Sequence, residues 1–156
     1  MRNHKHPIYS RPGHLIRRLQ QIAVAVFMNE TKRFDITPVQ YSALLAVEMN
    51  PGIDQKTLVN MVALDRSTVG DVVARLENKK WIKRVVDHRS KRLTIMAAGR
   101  KVLRSIDPAV DRVQGLILAP LSRSERAVFV DMLERLVELN NSRSRAPLGA
   151  DKDVSR

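Results

Sequence analysis

The chain of 156 residues has no cysteine, six aromatic residues and no apolar run near the roughly 20 residues that cross a bilayer. Without cysteine there is no disulfide framework, thiolate metal site, iron–sulfur cluster or cysteine nucleophile. The opening MRNHKHPIYSRPGH carries charge but not the apolar stretch that follows it in a secretory signal. A soluble, cytoplasmic protein without a membrane partner is expected. Catalytic signatures are also missing: there is no paired-carboxylate spacing, no glycine-rich phosphate loop and no Gly-x-Ser-x-Gly elbow. The four histidines, His4, His6, His14 and His88, are dispersed, and His4-x-His6 lies in an irregular arm rather than a metal-binding frame. Neither an enzyme nor a cofactor or metal site is expected.

What the chain has in excess is positive charge, with 28 Lys plus Arg against 16 Asp plus Glu and a net charge of +12. Its placement says more than its total. Arg66 to Arg104 holds twelve basic and three acidic residues, three quarters of the excess. Residues 1–18 add five basic residues and no acid, while the segments 19–65 and 105–156 are net acidic and neutral. Such a field attracts a polyanion: nucleic acid, an anionic membrane surface or a phosphorylated ligand. A merely solvated surface would show less clustering.

Hydrophobic spacing divides the chain into elements. Residues 1–13, with two prolines and a glycine, form an arm. From His14 to about Phe34, Leu15, Ile16, Leu19, Ile22, Ala23, Val26 and Phe27 recur at three- and four-residue steps, the stripe of a long amphipathic helix. Thr37-Pro38-Val39-Gln40 is a capping box with proline at the first helical position, opening a second helix to about Asn50. Pro51-Gly52 ends it, Ile53 suits a brief strand, and Asp54 caps a third helix over Gln55–Val62. Asp65 caps a fourth, Arg66 to about Lys79, which buries Val69, Val72, Val73 and Leu76 and leaves Arg66, Ser67, Thr68, Asp71 and Arg75 outside. Two short helices joined at Ala63-Leu64-Asp65 make a helix-turn-helix.

The period then changes to that of strands. Trp81–Val86 and Lys91–Met96 flank the polar turn Asp87-His88-Arg89-Ser90 and predict a β-hairpin. A fifth helix, Ala97 to about Ala119, carries Val102, Ile106, Val110, Val113 and Ile117, with Pro108 expected to bend it. Ser122-Arg123-Ser124-Glu125 opens a sixth helix with Val128, Phe129, Met132, Leu133, Leu136 and Leu139, ending near Asn141. Residues 142–156 have little to bury and are expected to be disordered. The fold class is therefore mainly α with a small β-hairpin wing (α+β). A single domain spans 14–141, made of a winged helix-turn-helix over about 37–97 between terminal helices over about 14–34 and 97–141.

The string LDRSTVGDVVARLENKKWIKRVVDHRSKRLTIMAAGR, with one long helix before it and two after, resembles the multiple antibiotic resistance regulator (MarR) family of winged-helix repressors. The resemblance covers about residues 14–140, and its most specific piece is Asp87-His88-Arg89-Ser90, similar to the family's Asp-x-Arg-Ser wing tip. It implies a recognition helix whose first turn enters the major groove, with short donors and long forks reaching base edges and phosphates. Arg66, Ser67, Thr68, Asp71 and Arg75 fit that need. Arg89 suits a narrow minor groove, with Asp87 holding it and His88, Lys91 and Arg92 meeting phosphates. Gln55, Lys56 and Asn60 on the third helix stand at the groove rim, although polar residues are expected on any short helix. Two positions depart from the family pattern: Lys80 stands where relatives carry a glycine ending the recognition helix, and Met96 where they carry a capping threonine.

The terminal helices have more apolar surface than a winged helix of about 75 residues covers, and the resemblance implies an obligate homodimer. Leu15, Leu19, Ile117, Phe129, Met132, Leu133 and Leu136 are its expected interface. It also implies a small, often aromatic and anionic effector between the dimerisation region and the winged helix. Candidate lining is His14, Arg18 and Ile22 from the first helix, Tyr41, Leu45 and Met49 from the second, and Val102 and Ile106 from the fifth. The acid-free basic start (Arg2, Lys5, Arg11, His14, Arg17, Arg18) either follows the DNA backbone or grips a phosphorylated effector such as an aromatic acyl-coenzyme A. The expected function is a ligand-responsive repressor of a pseudo-palindromic site in double-stranded DNA. The alternative is an architectural DNA-binding protein without sequence choice or effector.

Overall fold

The computed structural model describes residues 7–87 and 90–149. The element order is α1 (Pro12–Glu30), α2 (Pro38–Met49), β1 (Ile53–Asp54), α3 (Gln55–Val62), α4 (Arg66–Asn78), β2 (Ile82–Asp87), β3 (Ser90–Ile95), α5 (Ala97–Leu118) and α6 (Arg123–Leu139). Short 3₁₀ turns cover Pro7–Ser10, Lys32–Phe34 and Asn141–Arg143. Helix α1 thus starts at Pro12, where a proline needs no amide partner, and stops at Thr31, whose buried hydroxyl donates to Phe27 O at 2.7 Å.

The three strands form one antiparallel sheet in the order β1-β3-β2. Ile82 pairs with Ile95 and Asp87 with Ser90, so each strand of the wing runs one pair beyond the predicted four-residue turn. His88 and Arg89 lie outside the described residues, as do His4, His6, Arg2 and Lys5, and of Asp87 and Ser90 only the backbone is described.

One core joins the winged helix to α1 and α5. Leu44, Val47, Leu58, Val69, Val73, Leu76, Leu93 and Ile106 have no accessible surface, and Phe27, Ile36, Ile82, Leu103 and Val113 are buried with them. All four apolar residues expected to face inward from α4 do so. In α5 the buried stripe is Gly99, Leu103, Ile106, Ala109 and Val113, displaced from the expected one, with Val102 and Val110 only half-buried. Helix α6 buries none of its seventeen residues. Ion pairs tie α5 to its neighbours: Arg112 Nε to Glu30 Oε2 at 3.1 Å and Arg100 Nε to Glu48 Oε2 at 3.2 Å.

Beyond α6 the chain is ordered further than expected. Asn141 donates through Nδ2 to Leu148 O at 2.9 Å and accepts from the Leu148 amide at 2.8 Å. This closes residues 141–148 into a loop, because one side-chain amide can satisfy both backbone groups of a single residue. The tail expected to be disordered from 142 therefore carries structure to 149.

The end of α4 is built without glycine. Lys80 itself adopts the left-handed conformation at φ 56°. The Trp81 amide then donates to Leu76 O at 3.0 Å and the Lys80 amide to Glu77 O at 2.8 Å, a Schellman closure with Trp81 beyond it. At the start of α5, Met96 has no side-chain cap, but its amide donates to Trp81 O at 2.8 Å. Replacing Lys80 with glycine removes the strain of a side chain at positive φ, so Lys80→Gly is expected to raise unfolding free energy by about 0.5–1 kcal/mol in urea titration.

Candidate nucleic-acid interface

Helices α3 and α4 meet at a turn in which Ala63 adopts φ 50°. Each begins with an aspartate cap. The Asp54 carboxylate accepts from the Thr57 amide at 2.9 Å, and this bond, followed by those from its hydroxyl and from Lys56, holds Asp54 below the ordinary carboxylate range. Asp65 accepts from the Thr68 amide at 2.9 Å and from both hydroxyls beside it, Ser67 Oγ at 2.6 Å and Thr68 Oγ1 at 2.6 Å. The Ser67 hydroxyl and then the Thr68 bonds push its pKa far below the usual value.

This triangle changes the chemistry expected of Ser67 and Thr68. Their hydroxyl protons are given to Asp65, so toward solvent they present lone pairs and act as acceptors, not donors. The signal was legible in Asp65-Arg66-Ser67-Thr68, since an aspartate cap two and three residues before hydroxyls is placed to take both protons.

The structure sets Arg66, Ser67, Asp71 and Arg75 on the exposed surface of α4 and leaves Thr68 half-buried. Gln55 on α3 leans on α4, its Nε2 lying 3.5 Å from where a Cβ on Gly70 would sit. Lys56 is exposed and Asn60 half-buried on the same short helix. On the wing, Lys91 is exposed. Arg92 is exposed too, yet its Nη1 donates to Gly52 O at 3.2 Å and its Cα pairs with Asp54. Arg92 thereby fastens β3 to the turn before β1, a role beyond the expected phosphate contact. Arg84 Nε lies 2.8 Å from Glu77 Oε2, linking the wing to the end of α4.

Lys79 was not singled out from sequence. Its ammonium lies 2.6 Å from Asp35 Oδ2, hydrogen-bonds the Asp35 carbonyl, and sits 4.7 Å from the centre of the Trp81 ring. Asp35 adopts φ 49° in the α1–α2 connection, and the Lys79 hydrogen bond lowers its pKa. The pair joins elements 44 residues apart, a separation that local pattern does not reveal.

The expected ligand lining divides. Arg11, Arg17 and Arg18 are exposed, His14 half-buried with Arg17 Nη2 3.5 Å from its Nδ1, and Arg18 donates to Gln21. The Tyr9 ring, not expected here, meets the His14 ring edge-on at 5.6 Å. Ile22 is exposed. Tyr41 packs 5.9 Å from Phe27, and burial, with Asp107 and Asp111 facing it, raises its pKa. Val102 is half-buried. Ile106 has no accessible surface and belongs to the core, so it backs any crevice rather than lining one. Leu45 and Met49 line a groove between α2 and α3 with Met61, Val62 and Leu148.

Of the residues expected between subunits, Leu15, Met132, Leu133 and Leu136 are exposed, and Leu19, Ile117 and Phe129 half-buried. Among the described residues no helix is long and apolar enough to cross a membrane, and no group of three or more His, Asp or Glu is placed to hold a metal.

A family profile described as MarR family matches residues 34–93. The transcriptional regulator HosA of Escherichia coli O157:H7 is 30% identical over 127 residues, 80% of this chain and 93% of that protein. The PcaV transcriptional regulator from Streptomyces coelicolor, solved with its natural ligand, superposes with a TM-score of 0.77 at 35% identity, over 85% of this chain and 96% of that one. BpsR of Bordetella bronchiseptica, whose DNA binding is regulated by 6-hydroxynicotinic acid, superposes with a TM-score of 0.80 at 25% identity, over 84% and 97% of the chains.

Folded Asp65 is a stronger acid than in the unfolded chain, so its bonds stabilise fully above the ordinary carboxylate pKa of about 4 and are lost as pH falls below it. The difference in melting temperature between wild type and Asp65→Asn is expected to be largest at neutral pH and to close as calorimetry moves from about pH 5 toward pH 2.

Proposed function

Because the chain belongs to the MarR family of DNA-binding transcription regulators, we propose that it works as a homodimeric repressor of a pseudo-palindromic site, released by a small aromatic acid or its acyl-coenzyme A thioester. The observation that carries this reading is α6. A helix that buries none of its residues while exposing Val128, Met132, Leu133, Leu136, Val137 and Leu139 leaves an apolar face that water disfavours. Leu15 and Ile16 of α1 are exposed as well. A second copy related by a two-fold axis covers both and sets two α4 helices about 34 Å apart, the spacing of successive major grooves.

In each half, Arg66 and Arg75 on α4 and Lys91 on the wing supply cations toward the duplex, with Gln55, Lys56 and Asn60 at the rim. Arg89, flanked by Asp87 and His88, is proposed for the minor groove. The effector reading rests on the natural ligand held by PcaV, on the 6-hydroxynicotinic acid that regulates BpsR, and on the exposed Arg11, Arg17 and Arg18 of this chain, which favour an anion near α1. Asp107 and Asp111 beside Tyr41 disfavour the same anion on the α5 side. Ligand binding favours a dimer whose recognition helices no longer match the groove spacing, a population shift between two states. Such a regulator works on the genome in the cytoplasm.

Salt-titrated fluorescence anisotropy on DNA from immediately upstream of the gene, against a scrambled duplex, tests the proposal. Preference for the upstream fragment by about 10³ or more is expected. Arg89→Ala is expected to lose that binding as an intact dimer, whereas Leu136→Asp elutes as a monomer and loses binding as a consequence. Aromatic acids or their coenzyme A thioesters then dissociate the wild-type complex. Equal affinity for both duplexes at every salt concentration points instead to architectural, sequence-independent binding.

A further inference from the structure

The outward line of α4 carries no cation. Val69, Val72, Val73 and Leu76 are buried, and at about 100° per residue the line opposite them is Ser67, Asp71, Ala74 and Asn78, all exposed. Arg66 and Arg75 lie to its two sides. A carboxylate therefore stands near the centre of the face turned away from the core, in the most basic stretch of the chain. Among the described residues no ion pair engages Asp71, although Arg75 is one turn further along the same helix. One turn before it, the Ser67 hydroxyl has committed its proton to Asp65 at 2.6 Å.

Ser67 and Asp71 are thus two neighbouring groups that accept hydrogen bonds and do not donate them. DNA phosphates only accept, so neither satisfies a phosphate, and Asp71 is repelled by one. In the major groove the donors are the exocyclic amino groups, N4 of cytosine and N6 of adenine, whereas guanine and thymine present acceptors there. A carboxylate brought against guanine O6 or thymine O4 is desolvated without a partner, which penalises the wrong base as well as rewarding the right one.

Resting on the reading of α4 as the recognition helix, we infer that Asp71, with Ser67 held as an acceptor beside it, is a specificity-determining residue that requires an amino-bearing base, cytosine or adenine, at its place in each half-site. Arg66 and Arg75 then supply affinity to phosphates or guanine on either side, and Asp71 supplies rejection. Asp71 lowers overall attraction to DNA and raises the difference between right and wrong sequences.

The test is selection from a randomised duplex library with the full-length wild type and Asp71→Ala, followed by anisotropy on the wild-type site. At each selected cytosine or adenine, the base is replaced in turn by 2-pyrimidinone or purine, which lack the exocyclic amine. The wild type is expected to lose about tenfold or more at one position per half-site. Asp71→Ala, checked by circular dichroism, is expected to be indifferent to amine removal there, to accept all four bases there, and to bind scrambled DNA more tightly than the wild type. A defined wild-type site at which no amine removal matters, or at which Asp71→Ala keeps the same preference at every position, overturns the inference and leaves the regulator reading standing. A wild type that selects no sequence overturns both.

Discussion

Trp81 is the junction on which the winged helix depends. Its amide closes the end of α4 on Leu76 O, its carbonyl receives the Met96 amide at the start of α5, and its ring lies beneath the Lys79 ammonium that holds Asp35. A Cβ on Gly99 would lie 2.3 Å from the same carbonyl, so the base of the wing and the first turn of α5 approach as closely as backbone allows. Helix α4, the wing, the long α5 and the α1–α2 connection are thereby referred to one residue. A left-handed lysine is tolerated at position 80 because the bonds it makes possible fix all of these together.

The same economy limits the charge offered outward. Within the basic stretch from 66 to 104, Lys79 is bound to Asp35, Arg84 lies against Glu77, Arg92 donates to Gly52 O and Arg100 pairs with Glu48. These cations hold helix ends and the wing in place, and the cationic surface displayed to a polyanion is smaller than the formal excess. On the proposed function, affinity for DNA and its salt dependence rest on fewer residues, Arg66, Arg75 and Lys91 among them. With fewer non-specific contacts, an acceptor-only pair at Ser67 and Asp71 weighs more in the choice of site.

At the other end of the molecule the constraint is reversed. The winged helix buries most of its apolar residues, leaving Met49, Met61, Val85 and Val86 exposed, whereas α6 buries none and the outer face of α1 is uncovered. Helix α5 bridges the two regions, buried along one stripe over its first seventeen residues and pinned to α1 and α2 by Arg112 and Arg100. A displacement at the uncovered end has a rigid element through which to move α4, as the proposed release by a ligand requires.

Local chemistry was legible in the chain. The caps at Thr37, Asp54, Asp65 and Ser122, the inward residues of α4, and the change of period at Trp81 identified the winged helix and placed most element ends within a few residues, because caps and periodicity act over one or two turns. Exposure of Arg66, Ser67, Asp71 and Arg75 on α4 and of Lys91 and Arg92 on the wing also followed, since a residue opposite a buried stripe has nowhere else to go. The tertiary structure alone decided what long-range partners do: Lys79 reaching Asp35, Arg92 bound to Gly52, Ile106 withdrawn into the core, Lys80 adopting positive φ under Trp81, and the tail folded back through Asn141. Each depends on groups brought together across the fold, where bond geometry rather than residue type selects among many partners. The hydroxyls of Ser67 and Thr68 mark the boundary, for Ser67 was read correctly as surface and Thr68 proved half-buried, while the direction of both protons was set by a carboxylate 2.6 Å away.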